Sequence, residues 1–415
     1  MFLPSLSATV AGLVAGAALA VPAAATRPGP PLSEPAALLA ASLHCIGDPA
    51  ASARAGRTPV LMIHGTTSNF RANFSWNWDR AFAGEGRARC YVDLPDSGNS
   101  DIQVAAEHVV NGIRHLYAAT GSRIDLLGHS QGGMIGRWAL KYWPDTRGMV
   151  DDYVSLAASN HGTTVFAVQC ATTPTCTAAN WQQRTDSNFL TALNQGPQTW
   201  PGISYTQIYT RHDEIVVPNR DESGSSSLPL APNVSNIAVQ DLCRYETVEH
   251  FGMAYDNAAW LLGMDALTHP GPAALHRTST ATCGRLLMPA VNPVTFLSDA
   301  SAALTQSVAS TAAAPVLLGR AAPALLRRTG LPTTLTASTV RPPRAPQGRS
   351  SGSLIPSRAV PQAQARSVGS MPTASSSTRR SLAVFSLNTL NTSSWVTPWP
   401  LSTPASRSVT SAIAV

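Results

Sequence analysis

Several features are absent from this 415-residue sequence, and their absence narrows what it can be. No pair of its six cysteines has the CxxC spacing of a structural zinc site. Beyond the N-terminus, no apolar stretch approaches the roughly 20 residues that a membrane-spanning helix needs. Basic residues interleaved with aromatics, which would indicate a nucleic-acid groove, are also lacking in the first two-thirds of the chain. We therefore expect no metal site, no membrane-spanning helix and no nucleic-acid partner.

Charge is distributed unevenly along the chain. Residues 286–415 contain eleven arginines and one aspartate, a net charge of +10, whereas residues 1–285 carry 18 basic and 22 acidic side chains. The last 130 residues consist largely of Ala, Ser, Thr, Pro and Arg, so burial would not offset the chain entropy lost on folding. We predict a disordered, low-complexity tail over residues 286–415. Contact of its arginines with an anionic surface is the alternative.

The first 25 residues have the pattern of a signal peptide. An apolar run over residues 8–20 precedes small residues that suit cleavage after Ala20 or after Ala25. Six cysteines fit an exported protein, where disulfides persist, and they allow 15 pairings. Cys170 and Cys176 are close enough in sequence to close a local loop. We expect a secreted protein whose catalytic domain covers residues 26–285.

Short apolar runs alternate with helical patterns along this domain. Candidate strands cover residues 59–63, 88–94, 124–127, 152–156, 204–209 and 237–240. Candidate helices cover residues 36–43, 102–118, 134–143 and 253–262. The alternation is typical of an α/β fold with a mostly parallel central sheet flanked by helices. Such sheets place ligands at the carboxyl ends of their strands.

The motif Gly128-His129-Ser130-Gln131-Gly132 follows one of these strands and opens a helix. GxSxG in this context predicts the nucleophile elbow of an α/β-hydrolase fold, with Ser130 as nucleophile. The glycines are needed because the turn is tight, and the following helix N-terminus helps to stabilise negative charge on the reacting carbonyl oxygen.

A serine hydroxyl needs a base, and the base needs an orienting acid. In this fold the chain order is Ser, then Asp or Glu, then His. His250 follows the last candidate strand and precedes a helix, which favours it as the base. Asp213 follows the strand at 204–209 and is the favoured acid, with Glu214 as its rival in the same loop.

Two backbone N–H groups are expected to form the oxyanion hole. One belongs to Gln131, directly after the nucleophile, and the other to Thr66, in the loop after the first core strand. The Thr66 hydroxyl is a candidate third donor. His129 and His161 are assigned as candidate substrate-binding residues, although His161 comes too early in the chain to act as the base. The chemistry requires no cofactor.

These segments resemble the family of Candida antarctica lipase B and related actinobacterial lipases. The likeness covers about residues 39–286 and is carried by Gly65-Thr66, Cys90-Tyr91-Val92, Ser130-Gln131-Gly132-Gly133, Asp213-Glu214-Ile215-Val216, and Cys243 followed by His250. The resemblance implies the triad and oxyanion hole given above. It also implies disulfides Cys45–Cys90 and Cys243–Cys283, leaving Cys170–Cys176 as a local bridge. His129 and His64 stand where lipase B has tryptophan and proline, so its stereoselectivity is not carried over.

The sequence thus predicts a secreted, monomeric serine ester hydrolase that acts on lipid or ester substrates at a lipid–water interface. Triacylglycerol lipase is the first hypothesis. A carboxylesterase or polyester depolymerase is the alternative within this class of enzymes. An acyltransferase, which shares the acyl-enzyme intermediate, and a non-catalytic hydrolase-fold binding protein are the alternatives from other classes.

Overall fold

The computed structural model describes residues 29–173 and 176–317. The strands within these residues are β1 (Leu43–Ile46), β2 (Val60–Ile63), β3 (Arg89–Val92), β4 (Ile124–His129), β5 (Val150–Leu156), β6 (Cys176–Thr177), β7 (Ser204–Tyr209), β8 (Val234–Ala238) and β9 (Val316–Leu317). The α-helices are α1 (Ala36–Ser42), α2 (Pro49–Arg54), α3 (Phe70–Asn73), α4 (Trp78–Gly84), α5 (Pro95–Gly98), α6 (Ile102–Thr120), α7 (Gln131–Tyr142), α8 (Thr164–Thr172), α9 (Ala178–Gln182), α10 (Asn188–Asn194), α11 (Val239–Leu242), α12 (Asn257–Thr268) and α13 (Phe296–Ala313). The predicted signal peptide (residues 1–25) and the predicted tail beyond residue 317 lie outside the described residues.

A seven-stranded sheet in the order β1-β3-β2-β4-β5-β7-β8 forms the centre of the fold. Only β1 runs antiparallel to its neighbour among these described strands; the other pairs are parallel. The four side chains of β2 are fully buried, as expected for a parallel strand covered on both faces. The predicted α/β-hydrolase architecture is confirmed.

Helices cover both faces of the sheet because side chains alternate along each strand. Leu61 and Ile63 of β2 pack in the apolar cluster that includes α6 and α7, whereas Val60 and Met62 pack in the cluster that includes α4 and α12. Because β2, β4, β5 and β7 are parallel, their carboxyl ends lie at one edge of the sheet, and the loops that follow them meet there.

Three disulfides join segments that are distant or irregular. Cys45–Cys90 links the edge strand β1 to β3, Cys243–Cys283 links the end of α11 to the segment after α12, and Cys170–Cys176 closes the loop between α8 and β6. All three pairings implied by the resemblance and by the close spacing of Cys170 and Cys176 are confirmed.

The prediction that the chain lacks structure from residue 286 onward is wrong for residues 286–317. This segment contains α13, which packs beside α3, and β9, which pairs with β6. The helix presents a stripe of mostly small residues to the domain at spacings of three and four: Phe296, Ala300, Ala303, Ser307 and Ser310. Judged by composition, such a segment has too few bulky apolar side chains to fold, but small residues allow close packing.

Among the described residues, no helix combines the length and the apolarity that crossing a membrane requires.

Candidate active site

The tight turn between β4 and α7 carries Ser130. Its backbone has φ 57° and ψ −122°, an uncommon conformation for a residue with a side chain. A Cβ at Gly128 would lie 2.2 Å from the Gly132 oxygen, and one at Gly132 would lie 1.9 Å from the Ile63 oxygen. Glycine is therefore required at both positions, as the motif predicts. The turn places Ser130 at the N-terminus of a twelve-residue helix.

His250 and Asp213 form a buried pair. The Nδ1 atom of His250 lies 3.0 Å from both carboxylate oxygens of Asp213. Asp213 also accepts hydrogen bonds from the N–H groups of Ile215 and Val216, and its side chain is fully buried. Glu214, the rival acid, bonds to the backbone of the same residue: its Oε2 accepts the His250 N–H at 3.1 Å.

The charges around His250 determine its protonation. Burial disfavours the charged ring, but the Asp213 carboxylate, through its charge and hydrogen bond, and the charges of Glu214 and Glu249 together raise the pKa of His250 above its ordinary value. The imidazolium is thus stabilised by this environment, which is what a base that gains a proton during turnover requires.

The side chain of Thr66 accepts two hydrogen bonds. Its Oγ1 lies 3.2 Å from Nε2 of Gln131 and 3.0 Å from Nε2 of Gln183. A hydroxyl has two acceptor lone pairs and one proton to donate. Because both lone pairs are occupied by amide donors, the Thr66 O–H is left to donate to another group, and Thr66 lines the same cavity as Ser130.

A cavity of about 340 Å³ lies above these residues. Thr66, His129, Ser130 and His250 line its inner part. The outer part is lined mainly by α8 and α13: Phe166, Gln169, Ala303, Leu304, Ser307 and Thr311. Thr67, in the loop after β2, is joined to α13 by a 2.7 Å hydrogen bond to Ser307. The helix that sequence analysis missed is therefore one wall of the site.

Comparison with known proteins gives the family of this chain. A family model described as "Lipase (class 2)" matches residues 57–252. Lipase B of Pseudozyma antarctica is 31% identical over 263 residues, which cover 62% of this chain and 75% of that protein. The chain belongs to the class 2 lipase family.

One solved structure, that of a lipase B, agrees with this family. Aspergillus fumigatus lipase B superposes with a TM-score of 0.65 at 28% identity, covering 72% of this chain and 73% of that one. Bacillus licheniformis lipase BlEst2 in its mature form has a TM-score of 0.42 at 16% identity, covering 55% of this chain and 98% of that one. As a class 2 lipase, the chain is a carboxylic ester hydrolase of the lipase and esterase type.

The structure of this class 2 lipase brings most of the predicted site residues together. Ser130, His250, Thr66 and His129 line one cavity, and Asp213 lies behind His250. Gln131 follows Ser130, and its side chain bonds to Thr66. The candidate residues predicted from four separate segments thus converge at the carboxyl ends of the strands.

His161, the other predicted substrate-binding residue, lies apart from this group, and its role stays a prediction. His161 is not among the residues that line the cavity. Its backbone N–H donates to the Ser225 carbonyl oxygen, and its Nδ1 lies 3.2 Å from the same oxygen. His161 follows β5, as sequence analysis recognised, but the chain turns there and directs the ring toward the loop before β8.

Two buried residues that sequence analysis missed complete the site. Gln183 bonds to Thr66, and its Oε1 accepts a hydrogen bond from Ser159 at 2.8 Å. Asn73 bonds to the ring of His129 and to the backbone N–H of Gly65. No motif marks either residue, because their partners come from distant segments that only the folded chain brings near.

Among the described residues, Asp125, Asp151 and Asp152 come closest to a set of metal ligands. Asp125 and Asp152 lie near the starts of β4 and β5, at the edge of the sheet opposite Ser130. Arg87 lies 3.2 Å from Asp125, and Arg123 lies 2.9 Å from Asp151. These arginines offset the acidic charge, and the cluster contributes nothing to the cavity.

Proposed function

We propose that the protein is a secreted triacylglycerol lipase that works through Ser130, His250 and Asp213. The main support for this proposal is that Ser130 and His250 line the same cavity, while Asp213 is hydrogen-bonded to Nδ1 of the His250 ring. Three disulfides within the described residues fit an oxidising compartment outside the cell.

In the proposed reaction, His250 takes the Ser130 proton while the serine oxygen attacks an ester carbonyl. The imidazolium formed is stabilised by the Asp213 carboxylate. The N–H groups of Thr66 and Gln131, with the Thr66 hydroxyl, donate to the oxyanion of the tetrahedral intermediate. The alcohol leaves with the proton from His250, and water then attacks the acyl-enzyme by the same route to release the acid.

The Thr66 hydroxyl gives a prediction with a matched control. We expect Thr66→Val to lower kcat by about 10²-fold with little change in KM, since one oxyanion donor is lost. The fold should tolerate the change because both amide donors keep another acceptor, Gly98 for Gln131 and Ala179 for Gln183. Thr66→Ser, which keeps the hydroxyl, should stay within about tenfold of the parent. Equal kcat values for the two variants on p-nitrophenyl butyrate would contradict a role for the hydroxyl.

The rim of the cavity supports a water-insoluble substrate. Leu304 of α13 lines the cavity and is 55% exposed, and Val308, one turn further, is 72% exposed. Val168 of α8 is 62% exposed. Helix α8 has no charged residue, and α13 has one, Asp299. An apolar, nearly uncharged rim suits contact with a neutral lipid surface, because burial there removes apolar area from water without stripping charges of their hydration.

We expect a Leu304→Ser/Val308→Ser double variant to lose about tenfold of its activity on emulsified triolein. Its kcat/KM on soluble p-nitrophenyl acetate should change less than threefold, because neither side chain contacts the reacting groups. The exposed Leu230→Ser/Tyr245→Ser pair, which does not line the cavity, serves as the control. An equal loss on both substrates, or in the control, would contradict an interfacial role for the rim.

The proposal as a whole is tested by measuring hydrolysis of p-nitrophenyl esters from short to long acyl chains, together with emulsified triolein. Turnover of long chains and of the emulsion supports the lipase. Activity confined to short soluble esters would instead indicate a carboxylesterase or polyester hydrolase. Acyl transfer is measured in the same assay from the ester formed when a primary alcohol competes with water.

A further inference from the structure

A buried chain of three hydrogen bonds runs from Gly65 to His250. The Gly65 N–H donates to Oδ1 of Asn73 at 3.0 Å, Nδ2 of Asn73 lies 3.2 Å from Nδ1 of His129, and Nε2 of His129 lies 3.0 Å from the His250 carbonyl oxygen. A carbonyl oxygen only accepts, so His129 carries its proton on Nε2. Its Nδ1 must then accept, and Nδ2 of Asn73 is the donor within reach.

Both linking side chains are removed from water. Asn73 is 1% exposed and His129 is 4% exposed. Burial, with the charge of His250 as the next contribution, lowers the pKa of His129 to about 3. The His129 ring therefore stays neutral in neutral and alkaline solution, and both of its nitrogens are occupied. It can neither serve as a second base nor offer a free hydrogen bond to the substrate.

This chain of hydrogen bonds connects two parts of the site that belong to separate loops. Gly65 precedes Thr66 in the loop after β2, and His250 lies in the segment between α11 and α12. The ring of His250 is fixed by Asp213, and its backbone N–H is fixed by Glu214. Its carbonyl is fixed by His129, which makes three anchors for one residue in an irregular segment.

We propose that Asn73 and His129 are positioning residues that hold His250 in register with the oxyanion loop. This inference rests on the proposed function of His250 as the base. It replaces the prediction of His129 as a direct substrate ligand with a role through hydrogen bonds to the protein. A displacement of about 1 Å in a reacting group can cost about 10²-fold in rate, so one anchor can have a measurable effect.

The test compares His129→Phe with His129→Gln. Phenylalanine breaks both hydrogen bonds, whereas glutamine can donate from Nε2 to the His250 carbonyl and accept from Asn73 through Oε1. With p-nitrophenyl butyrate, we expect His129→Phe to lower kcat by about 10 to 10²-fold with KM changed less than threefold. His129→Gln should recover kcat to within about fivefold of the parent.

A second comparison tests whether Asn73 and His129 act together through one chain of hydrogen bonds. Asn73→Leu should lower kcat as His129→Phe does, and the double variant should be no slower than the slower single variant. Effects that multiply, or equal kcat values for the Phe and Gln variants, would overturn the proposal. If His129→Phe does not fold, as judged by its thermal midpoint, His129→Asn replaces it, because its shorter side chain cannot span both partners.

Failure of this inference is distinguishable from failure of the proposed function. A parent protein that neither hydrolyses the ester nor reacts with an alkyl phosphonate would refute the proposed function. An active parent with unaffected His129→Phe and Asn73→Leu variants would refute only the positioning role.

Discussion

Replacing Ser130 with alanine is expected to lower kcat by at least about 10⁵-fold on every ester that the parent hydrolyses. The reason is that the remaining groups can stabilise an oxyanion but supply no nucleophile for the acyl-enzyme. The measurement is steady-state hydrolysis of p-nitrophenyl butyrate at enzyme concentrations high enough to detect the residual rate.

The control for this variant is its stability. Alanine fits wherever the serine Cβ fits, so the substitution leaves the backbone of the turn unchanged. The thermal midpoint should therefore stay within a few degrees of the parent. A loss of less than about 10⁴-fold, in a preparation free of parent enzyme, would contradict the role of Ser130.

The second large effect is expected from Asp213→Asn, which should lower kcat by about 10⁴-fold. An asparagine that keeps its oxygen toward the Ile215 and Val216 N–H groups directs its amide N–H₂ at His250. The ring then places its proton on the nitrogen that should accept from Ser130, which is the wrong tautomer.

The matched control is Glu214→Gln, since Glu214 is the adjacent carboxylate and the rival acid. Its side-chain oxygen can still accept the His250 N–H, so kcat at high pH should stay within about tenfold of the parent. Comparable losses in the two variants would contradict the assignment of Asp213 as the acid.

The parent and the Glu214→Gln variant are expected to differ in the pH dependence of kcat/KM. Activity requires neutral His250, and the surrounding carboxylates raise the pKa of His250. The kcat/KM of the parent should therefore fall as the pH is lowered, with the midpoint of this acid limb above pH 6.5. Removing the Glu214 charge lowers this pKa, so the limb in Glu214→Gln should move to lower pH. A shift to higher pH would contradict the electrostatic account of the base.

The sheet and the catalytic turn are predictable from the sequence because their signals are local. The strand predicted at residues 204–209 matches β7, and the helix predicted at 102–118 matches α6 to within two residues. GxSxG between a strand and a helix specifies its own geometry, since glycine is needed wherever the backbone approaches closely. Chain order then separated His250 from the other histidines.

The missed features depend on tertiary contacts. Helix α13 was missed because its packing stripe consists mainly of alanine and serine, which carry little hydrophobic signal. The helix is stabilised by contacts with α3, and it lines the cavity; neither can be seen in its own sequence. Gln183 and Asn73 were missed because an amide gains a role only from its partners. The contacts of His161 could not be predicted either, because position after a strand does not determine where the next turn directs a side chain.

The most direct test of the account is to treat the full-length protein with a long-chain alkyl p-nitrophenyl phosphonate and map the adduct by mass spectrometry of its peptides. We predict stoichiometric release of p-nitrophenol and one adduct on Ser130, with no labelling of Ser130→Ala. A folded parent protein that does not label, or that carries the adduct on another residue, would contradict the claim that Ser130 is the nucleophile of an ester hydrolase.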